Sequence, residues 1–177
     1  MTTGRIEVGP TGRTVAANVK RLRESQGLTL RGLSAALKER GRPLSADAVN
    51  KIENGAAAPE RGVRRVDVDD LMALAVVLDV PVITLLLPES VRGPVELTGE
   101  GEVNGTLAWR WAQGRVPLKY PEGADEGTRR KLLAMYLMKA TPDGVGWDQT
   151  TQEGQRAALE VFKAWSDEGG TDGQSVD

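Results

Sequence analysis

The sequence predicts a mainly α-helical protein, with a five-helix domain first and a small α+β region after it. Apolar residues recur at helical spacing through the first half of the chain. Residues that begin or end helices, such as Thr29, Gly41 and Ser45, separate these runs. Beyond residue 88, Gly and Pro become frequent and apolar residues alternate with polar ones. We therefore expect a flexible arm over residues 1–12, the helical domain over 13–88, the α+β region over 89–168 and a disordered tail over 169–177.

The first three predicted helices follow from capping residues and apolar spacing, and they cover about residues 15–26, 30–40 and 46–54. Thr14 is the candidate N-cap of the first helix, and Thr29 and Ser45 are those of the next two. Gly55 ends the third helix, because glycine readily adopts the left-handed conformation that closes helices. The third helix has few large apolar side chains, so most of its surface is small or polar.

Two more helices complete the predicted domain, over about residues 68–78 and 82–86. The fourth helix begins with Asp67, Asp69 and Asp70, where negative charge favours the helix dipole. The residues expected to face the core from this helix are Leu71, Leu74, Ala75 and Leu78. Pro88 ends the fifth helix, because proline cannot continue the hydrogen-bond ladder.

The second half of the chain has a different pattern. The segments VELTGEGEV and TLAWRWAQ alternate in a strand-like way and predict a β-hairpin. The segment RRKLLAMYLMKA predicts a helix that begins at Asp125 or Thr128 and runs to about residue 139, and residues 149–168 predict a last helix. Three tryptophans are interpreted as core residues, with the lining of a ligand pocket as the alternative: Trp109, Trp111 and Trp147.

The composition excludes several classes of protein. The chain has no cysteine for disulfides or thiolate metal sites, and no histidine, the usual general base and commonest metal ligand. It contains no P-loop, G-x-G-x-x-G or G-x-S-x-G motif. It also lacks a signal-peptide pattern and any apolar run of about 18 residues. We therefore expect a cytoplasmic protein that is not an enzyme and that binds no metal or cofactor.

Charge is divided unequally along the chain. Residues 1–65 carry 13 Lys/Arg and 6 Asp/Glu, a net charge of +7, whereas residues 66–177 carry 10 and 19, a net charge of −9. A basic segment beside an acidic one is typical of a DNA-binding domain joined to a second region. The alternative is a chance distribution of surface charge.

A pattern of caps and leucines over residues 19–55 carries a more specific signal. The residues that form it are Leu28, Thr29, Leu33, Leu37, Leu44, Ser45, Val49, Ile52, Glu53, Asn54 and Gly55. In this order they resemble the Cro/repressor-type (XRE-like) helix-turn-helix family of transcriptional regulators. The resemblance covers about residues 14–88, and the segments GRPLSADAVNKIENG, RRVDVDDLMALA and LLLP are similar to its actinobacterial or actinophage branch. It implies a lambda-repressor-like fold that places residues 46–54 in the major groove of DNA.

The resemblance also assigns roles to individual residues. The base-facing positions correspond to Ala46, Asp47, Asn50 and Lys51, whose side chains suit base edges. The positions near phosphates correspond to Arg31, Ser45 and Asn54, and in the following loop to Arg61, Arg64 and Arg65. The turn KERGRPLS and the loop after Gly55 are longer than in the family, which changes the spacing of the phosphate contacts.

Simpler interpretations of these residues stay open. Asp47 also suits the helix dipole, and Asn50 and Lys51 also suit an ordinary solvated helix face. Solvent exposure explains the three loop arginines equally well. The resemblance further implies a partly buried ion pair between Arg23 and Glu53.

We expect a homodimer on an inverted repeat, because one recognition helix reads too few base pairs for specificity in a genome. The candidate dimer surface consists of Leu132, Leu133, Tyr136 and Leu137, for which packing within one chain is the alternative. The expected function is sequence-specific double-stranded DNA binding by a transcriptional regulator, as a repressor.

Two alternatives share the same DNA-binding head. One is an antitoxin, and the other is a non-cleaving phage or prophage repressor; in both, the C-terminal half binds a protein partner. A self-cleaving repressor is disfavoured, because the chain has no Ala-Gly or Cys-Gly bond and its C-terminal half offers only Ser90, Ser166 and Ser175.

Overall fold

The computed structural model describes residues 7–57 and 62–140 and shows a mainly helical protein with one two-stranded antiparallel sheet. The elements in chain order are α1 (Pro10–Ser25), α2 (Leu30–Glu39), α3 (Ala46–Glu53), α4 (Val68–Val77), α5 (Val82–Leu86), β1 (Pro94–Leu97), β2 (Gly101–Asn104), α6 (Gly105–Ala112) and α7 (Glu126–Ala140). The chain forms two compact units, Met1–Trp109 and Arg110–Asp177. The first contains α1 to α5 and the hairpin, and the second contains α7.

The five helices α1 to α5 enclose one apolar core. Its fully buried side chains come from every one of these helices and include Val19, Leu33, Leu37, Val49, Ile52, Leu74 and Leu85. Burying each such side chain stabilises the fold by about 1.5–3 kcal/mol before the entropy of ordering is counted. The apolar spacing of the sequence therefore identifies this core.

Helices α2 to α5 lie where the sequence predicts them, and a side chain caps the first turn of α2, α3 and α4. Thr29 Oγ1 accepts from Gly32 N at 3.0 Å, and Ser45 Oγ accepts from Ala48 N at 3.0 Å. Asp67 caps α4 in the same way. Helix α3 ends at Glu53, with Asn54 as its C-cap.

Helix α1 begins at Pro10, earlier than the predicted start at residue 15. Proline suits the first helical position, where its fixed φ is already helical and its missing N–H has no helical partner. Thr14 lies inside the helix and donates its hydroxyl to Pro10 O at 3.3 Å, so it is not the N-cap. The predicted flexible arm is therefore wrong at residues 10–12, and residues 1–6 of that arm lie outside the described residues.

The hairpin belongs to the first compact unit, which extends past the boundary expected near Pro88. Val95 pairs with Val103, and both are buried. The backbone N–H groups of Thr98 and Thr11 each donate to the other's hydroxyl, at 3.1 and 3.3 Å, which ties the hairpin to the beginning of α1. The change from helical to alternating pattern marks a change of secondary structure, and the compact unit continues through it.

The segment TLAWRWAQ forms helix α6 and not the second part of a hairpin. Asn104 Oδ1 accepts from Leu107 N at 3.1 Å and so caps this helix. Its buried positions are the small residues Gly105 and Ala108. Trp109 is half-buried, with its indole N–H donating to Pro88 O at 3.0 Å. The prediction of a core role is wrong for Trp111, which is 38% exposed, and Trp147 lies outside the described residues.

In the second unit, helix α7 begins where it was predicted. Asp125 Oδ1 accepts from Thr128 N at 2.7 Å. The four candidate dimer residues of this helix are all half-buried: Leu132, Leu133, Tyr136 and Leu137. The Tyr136 hydroxyl donates to Trp111 O at 3.1 Å, and burial raises the pKa of Tyr136. The helix predicted over residues 149–168 and the tail over 169–177 lie outside the described residues.

Candidate nucleic-acid interface

Helix α3 carries the predicted base-facing residues, and its two sides differ sharply. Val49 and Ile52 are buried in the core. Asp47 and Asn50 are exposed, and Ala46 and Lys51 are partly exposed. The four residues singled out for base contacts therefore share the accessible side of α3.

Asp47 and Lys51 form an ion pair one helical turn apart. Lys51 Nζ lies 2.7 Å from Asp47 Oδ2, and the side chains are 44% and 68% exposed, respectively. Exposed pairs at this spacing are worth only about 0.3–0.5 kcal/mol. Because such a pair costs little to open, each side chain can leave its partner and bind a ligand instead.

The ion pair expected between Arg23 and Glu53 is present and buried. Arg23 Nε lies 2.6 Å from Glu53 Oε1, and Arg23 Nη2 lies 2.9 Å from Glu53 Oε2. Arg23 Nη1 also donates to Leu28 O at 2.8 Å, just before α2. The hydrogen bond that Arg23 donates to Glu53 is the main reason that the pKa of Arg23 is raised. One guanidinium thus joins α1, the segment before α2 and the end of α3.

The end of α3 is fastened to the segment that follows it. Asn54 Nδ2 donates to Gly62 O at 3.2 Å, and Arg64 N donates to Lys51 O at 3.0 Å. Gly55 is buried, and a Cβ there would lie 3.1 Å from Ile52 O. The Asn54 amide, which was expected near a phosphate, therefore donates to the backbone of Gly62.

The loop arginines are engaged within the protein. Arg64 Nη2 lies 2.6 Å from Asp70 Oδ2, and the Arg64 side chain is 37% exposed. Arg65 is exposed, and its Nε and Nη2 donate to Glu7 O at 3.2 and 3.0 Å. Arg61 lies outside the described residues. Arg31, in contrast, is exposed near the beginning of α2.

The sequence reasoning missed a network centred on Asp70. This side chain is fully buried, and its Oδ1 accepts from Arg42 Nε at 2.8 Å while its Oδ2 meets Arg64. Arg42 Nη2 also lies 2.7 Å from Asp67 Oδ2. The Asp70 hydrogen bond raises the pKa of Arg42, and the backbone N–H of Asp70 is the main cause of the lowered pKa of Asp67.

A signal for this network existed in the sequence. Asp70 precedes Leu74 and Leu78 at four-residue intervals, so it lies on the inward face of α4. A buried carboxylate is stable only when it is paired and hydrogen-bonded. This spacing was the available signal that Asp70 needs a cationic partner, although it does not identify which arginine.

Comparison of the chain with protein-family models, with curated proteins and with solved structures finds no match. Within residues 7–57 and 62–140, no group of three or more acidic side chains is arranged to hold a metal ion. No helix in this part of the chain is long and apolar enough to cross a membrane. What the arrangement offers chemically is a set of hydrogen-bond donors and acceptors on one exposed helix face.

Proposed function

We propose that this protein is a sequence-specific double-stranded DNA-binding transcriptional regulator, acting as a repressor, in which α2 and α3 form a helix-turn-helix. The observation that carries the proposal is the asymmetry of α3. Its apolar side is buried, and its end is held by Arg23 through Glu53. Its other side is exposed, small and polar, as insertion into a major groove requires.

The exposed side chains suit base edges. An asparagine such as Asn50 can pair with adenine, and a lysine such as Lys51 with guanine. Asp47 can accept from cytosine N4, and the Ala46 methyl can contact a thymine methyl. The weak Asp47–Lys51 pair opens at little cost, and base contacts replace it in the complex.

Phosphate contacts are assigned to Arg31 and Ser45, with Arg65 beside them. Arg31 and Ser45 are exposed near the N-termini of α2 and α3, where backbone N–H groups also favour anions. Arg65 is exposed and donates only to a backbone carbonyl, so its charge stays available. Arg64 is given a structural role instead.

The proposed assembly is a homodimer on an inverted repeat, because a single α3 contacts only a few base pairs. The candidate dimer surface is the half-buried apolar group of α7 that contains Leu132 and Leu137. A two-fold axis in the protein would then appear as a palindrome in its DNA site.

The test is selection of bound fragments from a random duplex pool with the full chain. We expect enrichment of a short palindromic motif. The Asn50→Ala variant should enrich a relaxed motif, whereas the control Lys20→Ala, at an exposed site on α1, should enrich the wild-type motif. A pool that stays random with the wild-type protein would refute the proposal.

A further inference from the structure

Helix α4 is apolar on both of its sides. Leu74 and Leu78 lie in the core, as expected. On the opposite side, Val68, Met72 and Val76 follow one another at four-residue intervals and are 77%, 54% and 52% exposed. We call these three residues the outer stripe. A surface helix normally carries polar side chains on its solvent side, and contiguous exposed apolar side chains typically mark an interaction site.

A groove lies beside the outer stripe, at the end of α4 and the beginning of α5. It has a volume of about 440 Å³ and is lined by Met72, Ala75, Val76, Asp79, Val80, Pro81 and Val82. Apart from Asp79, all of these side chains are apolar. The stripe and the groove share Met72 and Val76, and Asp79 is the single carboxylate in the groove lining.

That carboxylate occupies a position that the helix dipole disfavours. Asp79 has φ 53°, and it is the one non-glycine residue with positive φ in the described part of the chain. Val80 N donates to Ala75 O at 3.0 Å, so Asp79 closes α4 where glycine is usually found, and aspartate is among the other residues that adopt this conformation. A negative charge at a helix C-terminus is unfavourable, so the helix dipole does not account for an aspartate here.

The segment that carries this surface has acidic residues and no basic ones. Residues 66–88 contain four Asp and no Lys, Arg or Glu. Asp67 and Asp70 are paired with Arg42, and Arg42 also lies 4.0 Å from Asp69. No cation among residues 7–57 and 62–140 is paired with Asp79. The surface is complementary to a partner that is both apolar and basic.

We propose that the outer stripe and its groove bind an amphipathic helix of another protein, which carries Lys or Arg where it meets Asp79. The partner helix would lay its apolar side on Met72 and Val76, a common mode of helix recognition. A second copy of this chain is disfavoured as the occupant, because its α4 segment would bring another Asp79, and the nearby Arg42 is already paired with Asp67 and Asp70. The proposal does not depend on DNA binding.

The experiment titrates the full chain into two fluorescent synthetic peptides and follows anisotropy. The first is an amphipathic helix with leucines on one side and lysines along the border. The second has the same composition in scrambled order, so that it has no apolar side. Wild-type protein should bind the ordered peptide and not the scrambled one.

Matched variants separate the stripe and the carboxylate from general charge attraction. Asp79→Asn should weaken binding by about threefold to fivefold, as loss of one exposed ion pair does, and asparagine tolerates the same φ. Met72→Ser with Val76→Ser should weaken it about tenfold or more, because the apolar contact is lost. Glu102→Gln, which removes one exposed negative charge on β2, should leave the affinity unchanged.

Three results would overturn the proposal. The first is equal binding of the two peptides, or of neither. The second is an equal loss of affinity for Asp79→Asn and Glu102→Gln, since that would show only attraction between net charges. The third is a self-associated wild-type protein that the double serine variant dissociates in sedimentation velocity, since the occupant would then be a second copy.

Discussion

Arg23 and Glu53 join α1 to the end of α3 through two hydrogen bonds of 2.6 and 2.9 Å between buried side chains. Arg23→Met should destabilise the protein by about 3–5 kcal/mol, because it leaves the Glu53 carboxylate buried without its partner. Thermal and urea unfolding measure the loss. The control Arg92→Met removes the same charge from an exposed position and should change stability little. Equal stability of the Arg23 variant and the wild-type protein would contradict the buried pair.

Asp70 should also be important for stability. Its substitution by alanine leaves Arg42 and Arg64 without the carboxylate that holds them, at an expected cost of about 1–3 kcal/mol, because both guanidiniums are partly exposed and water can solvate them. Asp69→Ala is the matched control, because the Asp69 side chain is 78% exposed and its Oδ2 lies 4.0 Å from Arg42 Nη1, too far for a hydrogen bond. Urea unfolding of the two variants should differ by most of that amount. Similar midpoints for both would show that Asp70 is not the centre of the network.

Gly105 should not tolerate a side chain. A Cβ at this position would lie 2.6 Å from Val91 O and 2.9 Å from Gly93 O. Because both neighbours are backbone atoms, Gly105→Ala should destabilise the protein by about 1–3 kcal/mol. Gly127→Ala, in helix α7, places a Cβ at an ordinary contact distance of 3.6 Å from Asp125 Oδ1 and should be neutral or slightly stabilising. Thermal melts of the two variants provide the comparison, and an unchanged Gly105 variant would mean that the hairpin can shift.

The lowered pKa of Asp67 predicts a loss of stability in acid. A carboxyl whose folded pKa lies below its unfolded value contributes stability that is complete above about pH 4 and is lost as the pH falls through the folded value. Asp67→Asn should therefore flatten the acid side of the stability profile. Arg42→Gln should do so as well, since Arg42 stabilises the same charge. Melting temperatures measured from pH 7 down to strong acid test this, and an Asp67 variant with the wild-type slope would refute it.

Substitutions of base-facing and of phosphate-facing residues should change DNA affinity in different ways. Asn50→Ala and Lys51→Ala should each lose about 1–3 kcal/mol on the selected site and little on random duplex. Arg31→Ala should weaken both duplexes alike and reduce the salt slope by about one unit, because phosphates carry no sequence. Salt titrations on both duplexes measure this. If the Asn50 and Lys51 variants kept the wild-type preference, α3 would not be the recognition helix.

The helices that the sequence predicts correctly are those whose signals are local. Thr29 and Ser45 cap their own helices, and the leucines that follow recur within a few residues. The same local reasoning misplaced the beginning of α1, because it depended on Thr14 as the N-cap and did not consider Pro10 as a first helical residue. It also misassigned α6, because a short run such as TLAWRWAQ fits strand and helix periodicity equally well.

The parts that the sequence does not predict depend on distant partners. Arg42, Arg64 and Asp70 come from two connecting segments and a helix, and only the packed fold brings them together. Arg64 therefore looked like one of three equivalent loop arginines. Asn54 is a similar case, because its amide donates to Gly62 O, eight residues later in the chain.

The two oxygens of Asp70 hold one arginine from each of the connections that flank α3. The orientation of α3 is thus set by residues that lie outside its exposed face. On that face, the side chains of Asp47 and Lys51 contact each other, and only the backbone of Lys51 binds the segment after α3, through Arg64 N. Asp47, Asn50 and Lys51 can consequently be replaced by new side chains at little cost in stability. Under the proposed function, mutations at these positions can change which DNA site is recognised without changing the fold that positions α3.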